Sequence, residues 1–173
     1  SAPLVVGGAV GGVGVDVVVV AHGLAVQLLG LDAVRNRSFV HAHGSSTPAN
    51  RVTESEILDR VAAAFGIEQW PVTAVKAFVG HSLATASGDQ VIAALGAFKY
   101  GIVPGIKTID AVAGDVHQEH LSLSTEDRKV GEHALDVAFI NSKGFGGNNA
   151  SALVLAPHVA ERMLRKRHGQ AAF

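Results

Sequence analysis

Residues 38–50 read Ser-Phe-Val-His-Ala-His-Gly-Ser-Ser-Thr-Pro-Ala-Asn. Ser38 to Ala42 reads as a strand, and the period of two puts Phe39, His41 and His43 on one face. Gly44 and Pro48 interrupt the strand, and the hydroxyl-rich run between them is a loop. Thr53 and Glu56 then form a Thr-x-x-Glu capping box. Ile57, Leu58, Val61 and Phe65 space out a helix behind it, and Gly66 stops that helix. A strand, a histidine-bearing loop and a helix in succession are one unit of an α/β sheet. The loop stands at the carboxyl end of the strand, where such sheets gather their ligands.

The neighbouring segments repeat this logic. Leu4–Val6 and Val17–Val20 read as short buried strands joined by a turn at Gly11, Gly12 and Gly14, and no G-x-G-x-x-G fingerprint is present. His22–Gly30 reads as a short helix, and Val72–Val79 as a strand. Ala84–Tyr100 reads as a long helix with Val91, Leu95 and Phe98 aligned. Val137–Ile140 and Ala152–Leu155 are two last strands that can pair as a hairpin around the glycine loop 144–149. This order predicts an α/β fold with a mixed five-stranded sheet covered by helices on both faces. The domain is expected to span residues 1–157. Residues 158–173 form a basic helical tail with Arg162, Arg165, Lys166 and Arg167, either solvated or in contact with an acidic protein.

Composition narrows the function. The chain has 173 residues, 48% of them apolar and 17% charged, enough for one well-buried domain. Its formal net charge of -1 gives no electrostatic case for nucleic acid. No apolar run is long enough to span a membrane, and no basic segment followed by an apolar one suggests a signal peptide. A cytoplasmic location is the expectation. Cysteine is absent, which excludes disulfides, thiolate metal sites and a cysteine nucleophile within the chain.

Three polar segments each follow a predicted strand. They are His43-Gly44-Ser45-Ser46-Thr47-Pro48-Ala49-Asn50, Lys76-Ala77-Phe78-Val79-Gly80-His81-Ser82-Leu83 and Gly144-Phe145-Gly146-Gly147-Asn148-Asn149. Three such loops at one end of a sheet make one site. In this order they resemble the C-terminal half of the β-ketoacyl-acyl carrier protein synthases, condensing enzymes with a thiolase-like fold. That half carries HGTSTP, then Lys and Gly-His five residues apart, then GFGGTN. The resemblance runs from about residue 31 to 157.

The resemblance implies roles. His43 and His81 correspond to the two catalytic histidines, Lys76 to the lysine before the second, and Glu54 to an acid paired with that lysine. Ser45 and Thr47 correspond to hydroxyls that hold the phosphopantetheine arm. Phe145 corresponds to a gating ring, with Gly146 and Gly147 in its loop. The implied reaction is decarboxylative condensation of malonyl-acyl carrier protein with an acyl thioester in fatty-acid or polyketide synthesis. Two imidazole donors suit it, because charge develops on the thioester oxygen only in the transition state. The nucleophilic cysteine lies in the other half of the family's fold. The chain is therefore expected to be a fragment or component of a longer synthase, inactive alone and dimeric through the missing half. Carrier protein is the implied partner, and no metal or nucleotide cofactor is implied.

The chain departs from the family pattern at Ser45 (threonine), Arg51 (often aspartate), Ala84 (glycine), Lys143 (phenylalanine) and Asn148 (threonine). Three rivals stand beside this reading. A non-catalytic ketosynthase-like subunit is disfavoured by retention of His43, Lys76 and His81. Metal binding at His41 and His43, or at His117 and His120, lacks a carboxylate cluster to complete it. A thiolase or chalcone-type synthase calls for a second cysteine in this half or an asparagine in place of one histidine.

Overall fold

The computed structural model describes residues 5–8, 14–144 and 147–169. Its main sheet has six strands in the order β1 (Val5–Gly8), β8 (Asn149–Leu155), β7 (Val137–Lys143), β2 (Ser38–His41), β3 (Trp70–Thr73) and β5 (Leu121–Leu123). β7, β2, β3 and β5 run parallel, while β8 is antiparallel to both β7 and β1. The β7–β8 hairpin anticipated from the sequence is present, in register from Val137↔Leu155 to Lys143↔Asn149.

Helices cover both faces, as the pattern of alternating elements required. On one face Val40, Phe139 and Leu153 pack with α1 (Gly14–Leu29), α3 (Pro48–Phe65) and α6 (Pro157–His168) through Val18, Leu58 and Val159. On the other, Phe39, Ala138 and Ile140 meet Ala94 and Ala97 of α5 (Ala86–Tyr100). The shorter α2 (Leu31–Asn36) and α4 (Lys76–Val79) complete the helices, and β4 (Ile102–Val103) pairs with β6 (Arg128–Lys129) as a separate ribbon.

Several expectations are corrected. Val17–Val20 is the middle of α1 rather than a strand. Val17, Val18, Ala21 and Ala25 are buried while Val19, Val20 and Leu24 are exposed, so tertiary burial of one helical stripe overrides the strand preference of a β-branched run. Gly14 opens that helix; Leu4, Gly11 and Gly12 lie outside the described residues. The strand drawn over 72–79 ends at Thr73, and Lys76–Val79 is a helical turn. β5 was not anticipated, which is why the sheet has six strands and not five. Its three residues are too few to show a period.

The proposed capping box is also wrong. α3 begins six residues earlier, with Thr47 as extended N-cap and Pro48 in the first turn. Thr53 sits inside the helix and donates its hydroxyl to the Ala49 carbonyl at 2.8 Å. On α5 the fully buried line is Ala86, Gln90, Ala94 and Ala97, one residue ahead of the Val91–Leu95 line read from the sequence. The tail opens as part of the core: Val159 and Ala160 of α6 are buried, and Arg165, Lys166 and Arg167 follow in its last turn. No helix among the described residues is long and apolar enough to cross a membrane.

Candidate active site

The parallel neighbours β3, β2 and β7 end at the same edge of the sheet. The chain leaves β2 through His43, leaves β3 toward Lys76 and His81, and turns after β7 at Lys143. The His43 and His81 rings therefore meet, with centroids 5.6 Å apart and planes at 80°.

Main-chain donors orient both rings. His43 Nδ1 accepts the Lys143 amide at 3.2 Å. His81 Nδ1 accepts the Leu83 amide at 2.9 Å. An imidazole nitrogen that accepts carries no proton, so each neutral ring holds its proton on Nε2. Leu83 reaches its position with φ of 57°, a left-handed conformation that leucine rarely adopts. His43 is buried, and its pKa is lowered first by that burial and then by the charge of Lys76. His81 is exposed.

Glu54 and Lys76 hold the His43 backbone from two sides. Buried Glu54 accepts the amides of His43 at 2.7 Å and Gly44 at 2.9 Å. It also accepts the side-chain amides of Asn141 at 2.7 Å and Asn50 at 3.1 Å. Lys76 donates its ammonium to the His43 carbonyl at 2.5 Å. The implied direct pairing of Glu54 with Lys76 is thus replaced by contacts from each to the main chain at 43–44. Burial lowers the Lys76 pKa, against the opposing charges of Glu54 and Asp89. Gly44 has φ of 58°, and a Cβ there would stand 2.9 Å from Ala74 Cβ, so only glycine fits the turn.

The other anticipated residues divide. Ser45 is half-buried and Thr47 exposed at the start of α3, and neither hydroxyl has a hydrogen-bond partner among the described residues. Gly147 is exposed with φ of 81° in a turn closed by the Gly144 amide on the Asn148 carbonyl at 2.7 Å. Phe145 and Gly146 lie outside the described residues. His41 points into the core, fully buried, and does not join His43.

Two residues of this site were not singled out from the sequence. Asn141 ends the buried run of β7 and reaches Glu54. Gln90 is fully buried and donates to the carbonyls of Ala42 at 2.7 Å and Asn141 at 3.1 Å, bridging the ends of β2 and β7. A polar residue on the apolar face of a helix was the available signal for Gln90. A carboxylate cluster does exist away from the site. Asp59, Glu119 and His120 bring ligand atoms within 4.8 Å of one another, although Asp59 already accepts the His120 amide at 2.7 Å.

Residues 17–110, more than half of the chain, match the β-ketoacyl synthase C-terminal domain family. The chain belongs to that family. The ketoacyl-synthase match is supported by β-ketoacyl-[acyl-carrier-protein] synthase FabY of Pseudomonas aeruginosa. It is 76% identical over 149 residues, covering 86% of this chain and 23% of FabY. 3-Oxoacyl-[acyl-carrier-protein] synthase 1 of Escherichia coli is 29% identical over 116 residues, covering 67% of this chain and 27% of that protein. The crystal structure of P. aeruginosa FabY superposes with a TM-score of 0.90 at 66% identity, over 98% of this chain and 28% of FabY. The fold is thereby thiolase-like and α/β. The ketoacyl-synthase chain described here spans about a quarter of the length of these relatives.

Proposed function

We propose that this chain is the histidine-bearing half of a β-ketoacyl-acyl carrier protein synthase. The observation that carries the reading is the paired tautomer: both Nδ1 atoms are occupied by main-chain amides, so two Nε2–H groups remain to donate. In the proposed step the bond between the malonyl carboxylate and its α-carbon breaks, and carbon dioxide leaves. The electron pair moves onto the thioester oxygen as an enolate. His43 and His81 donate to that oxygen and lower the barrier, because they are already oriented when the charge appears. The enolate carbon then attacks the acyl thioester of a cysteine in the other half, and the cysteine leaves as thiolate. Lys76 and Glu54 are positioning residues that fix the His43 main chain.

Ser45 and Thr47, with hydroxyls free to donate and accept, hold the amides of the phosphopantetheine arm. Phe145, with Gly146 and Gly147, closes the acyl pocket. Carrier protein bearing acyl and malonyl groups is the substrate partner, and the full enzyme is a cytoplasmic dimer. Phe78, Val79 and Leu83, close to His81 in the chain, are large apolar side chains left exposed, which supports association with the other half. Residues 1–157 form the domain of this half and 158–173 its basic tail.

The test uses the full natural protein. Its intact mass is compared before and after iodoacetamide, and malonyl-carrier decarboxylation and condensation are followed. One alkylated cysteine with loss of condensation is expected, and His43→Ala or His81→Ala should each slow decarboxylation by about two to three orders of magnitude. Unchanged decarboxylation in both variants would reject the two-donor reading.

A further inference from the structure

A cavity of about 300 Å³ lies behind the His43–Gly44 turn, between α3, β3, β5 and the segment 104–120. Leu58, Val72 and Leu121 line it from the body of the domain, and Ile106, Val112 and Val116 from the segment. Its lining includes Gly44 and Glu54 but neither histidine ring, nor Ser45 or Thr47. We propose that this cavity is a binding site for one short unbranched aliphatic chain with an uncharged polar head.

Three observations converge on it. First, the segment 104–120 crosses the cavity without helix or strand, and long structureless connections in compact domains are commonly functional. Polar clasps fasten it. Arg51 donates through Nε and Nη2 to the two carboxylate oxygens of Asp115, both at 2.8 Å. The His117 amide donates to Ser55 Oγ at 3.1 Å, and the Ile106 amide to the Ser124 carbonyl at 2.7 Å. The segment is thus held at its edges, with its apolar side chains over open space. Arg51 is also where the chain departs from the family's common aspartate, and Asp115 is its partner.

Second, Ser46 has φ of 58°, a strained conformation for serine, and it lines the cavity while Ser45 and Thr47 do not. Third, the lining sets the ligand's chemistry. An apolar cavity of about 150 Å³ accepts benzene, so this one, about twice as large, holds at most about twelve heavy atoms and has room for a chain of about eight to ten. The polar lining groups are Ser46, Asn50, Ser55, Thr108, Arg51 and the Glu54 carboxylate, and Arg51 is already neutralised by Asp115 outside the lining. No uncompensated cation awaits a carboxylate head. An alcohol, ester or thioester fits.

The experiment uses the full-length protein and octan-1-ol, followed by calorimetry and by ligand-observed NMR. Saturable binding is expected, with octanoate about tenfold weaker because its charge meets Glu54 without a free cation. Val112→Trp fills the cavity from the segment and should weaken octan-1-ol by about tenfold or more. Val112→Ala should move the preferred alcohol from octan-1-ol toward decan-1-ol, and it decides the matter should the tryptophan variant not fold. The proposal is overturned if wild type shows no saturable binding, or if both variants bind the alcohol series as wild type does. Two sources could supply the chain, and wild-type kinetics separates them. Competition between octan-1-ol and an octanoyl primer assigns the cavity to the substrate's acyl group. An effect that persists at saturating primer assigns it to a separate lipid. The binding measurement reads out even if the proposed condensation is not observed.

Discussion

The ammonium of Lys76 lies 2.5 Å from the carbonyl oxygen of His43, while the amide of the same histidine rests on Glu54 at 2.7 Å. The two charges thus grip opposite ends of one residue instead of each other. That arrangement sets the first prediction. The neighbouring ammonium is second only to burial in lowering the His43 pKa. In Lys76→Met the His43 ring therefore gains its proton at a higher pH. A protonated ring would direct an N–H at the Lys143 amide, so the protonated form is inactive. The acid limb of the pH–rate profile for malonyl decarboxylation should move to higher pH in this variant. A limb that stays in place would show that the lysine charge is not felt at His43.

The tautomer makes a second prediction. The His43 donor is Nε2, because Nδ1 is taken by the Lys143 amide. The side-chain nitrogen of glutamine reaches the Nε2 position, and that of asparagine mimics Nδ1. H43Q should therefore decarboxylate about tenfold or more faster than H43N and H43A. Equal rates in the glutamine and asparagine variants would contradict the assignment.

Glu54→Gln replaces an acceptor for four donors with a group that is itself half donor. Each carboxylate oxygen accepts one main-chain amide and one asparagine, so the glutamine NH2 must meet either the His43 or the Gly44 amide donor to donor, with Asn141 or Asn50 beside it. A buried hydrogen-bonded charge broken in this way costs about 3 kcal/mol. Urea unfolding should show that loss, and decarboxylation should fall through kcat more than KM because the ring is misplaced rather than the substrate unbound.

His22 is fully buried in α1 and stacked on Phe139 at 3.8 Å, and burial lowers its pKa to about 4. The folded ring stays neutral while the unfolded ring gains a proton below its ordinary 6.5. Stability is thus full above pH 6.5 and declines as pH falls toward about 4, by on the order of 3 kcal/mol from this residue. His41, lowered to about 3 by burial and then by Lys76, extends the decline. His22→Phe keeps the stack and removes the titration. Its unfolding free energy should change less than that of wild type between pH 7 and pH 5, and an unchanged pH slope would refute the account.

At the opposite end of the sheet Asp136 receives Arg37 through two bonds, of 2.8 and 2.9 Å, and His158 at 2.9 Å. Burial pushes the carboxyl up, but these partners hold it below its usual range. The stabilisation is present above the ordinary carboxylate pKa and is lost as pH falls through the lower folded value. Asp136→Asn should cost about 1–2 kcal/mol at neutral pH, since Arg37 keeps partial contact with water. Thermal unfolding at pH 7 in wild type and variant measures it.

Much of the site could be read from the chain alone. His43 and His81 stand after predicted strands, and the resemblance of the three ordered motifs singled them out with Lys76, although the strand read over 72–79 runs past the point where β3 ends at Thr73. Glu54 was legible as a residue but not in its contacts. Its partners are main-chain amides, and sequence carries no sign of which amides a loop leaves open. Asn141 and Gln90 were missed because their role is to fill the fork where β2 and β7 diverge, a gap that exists only after the strands pair.

The α/β class, the β7–β8 hairpin and the family were legible along the chain, because local period, turn residues and ordered motifs are properties of neighbours in sequence. That Val17–Val20 is helical follows from the packed fold and not from the chain, since a half-buried stripe is defined by what packs against it. The same holds for the His43 tautomer, because the Lys143 amide that meets its ring comes from a residue one hundred positions away, whereas the Leu83 amide that meets His81 is local.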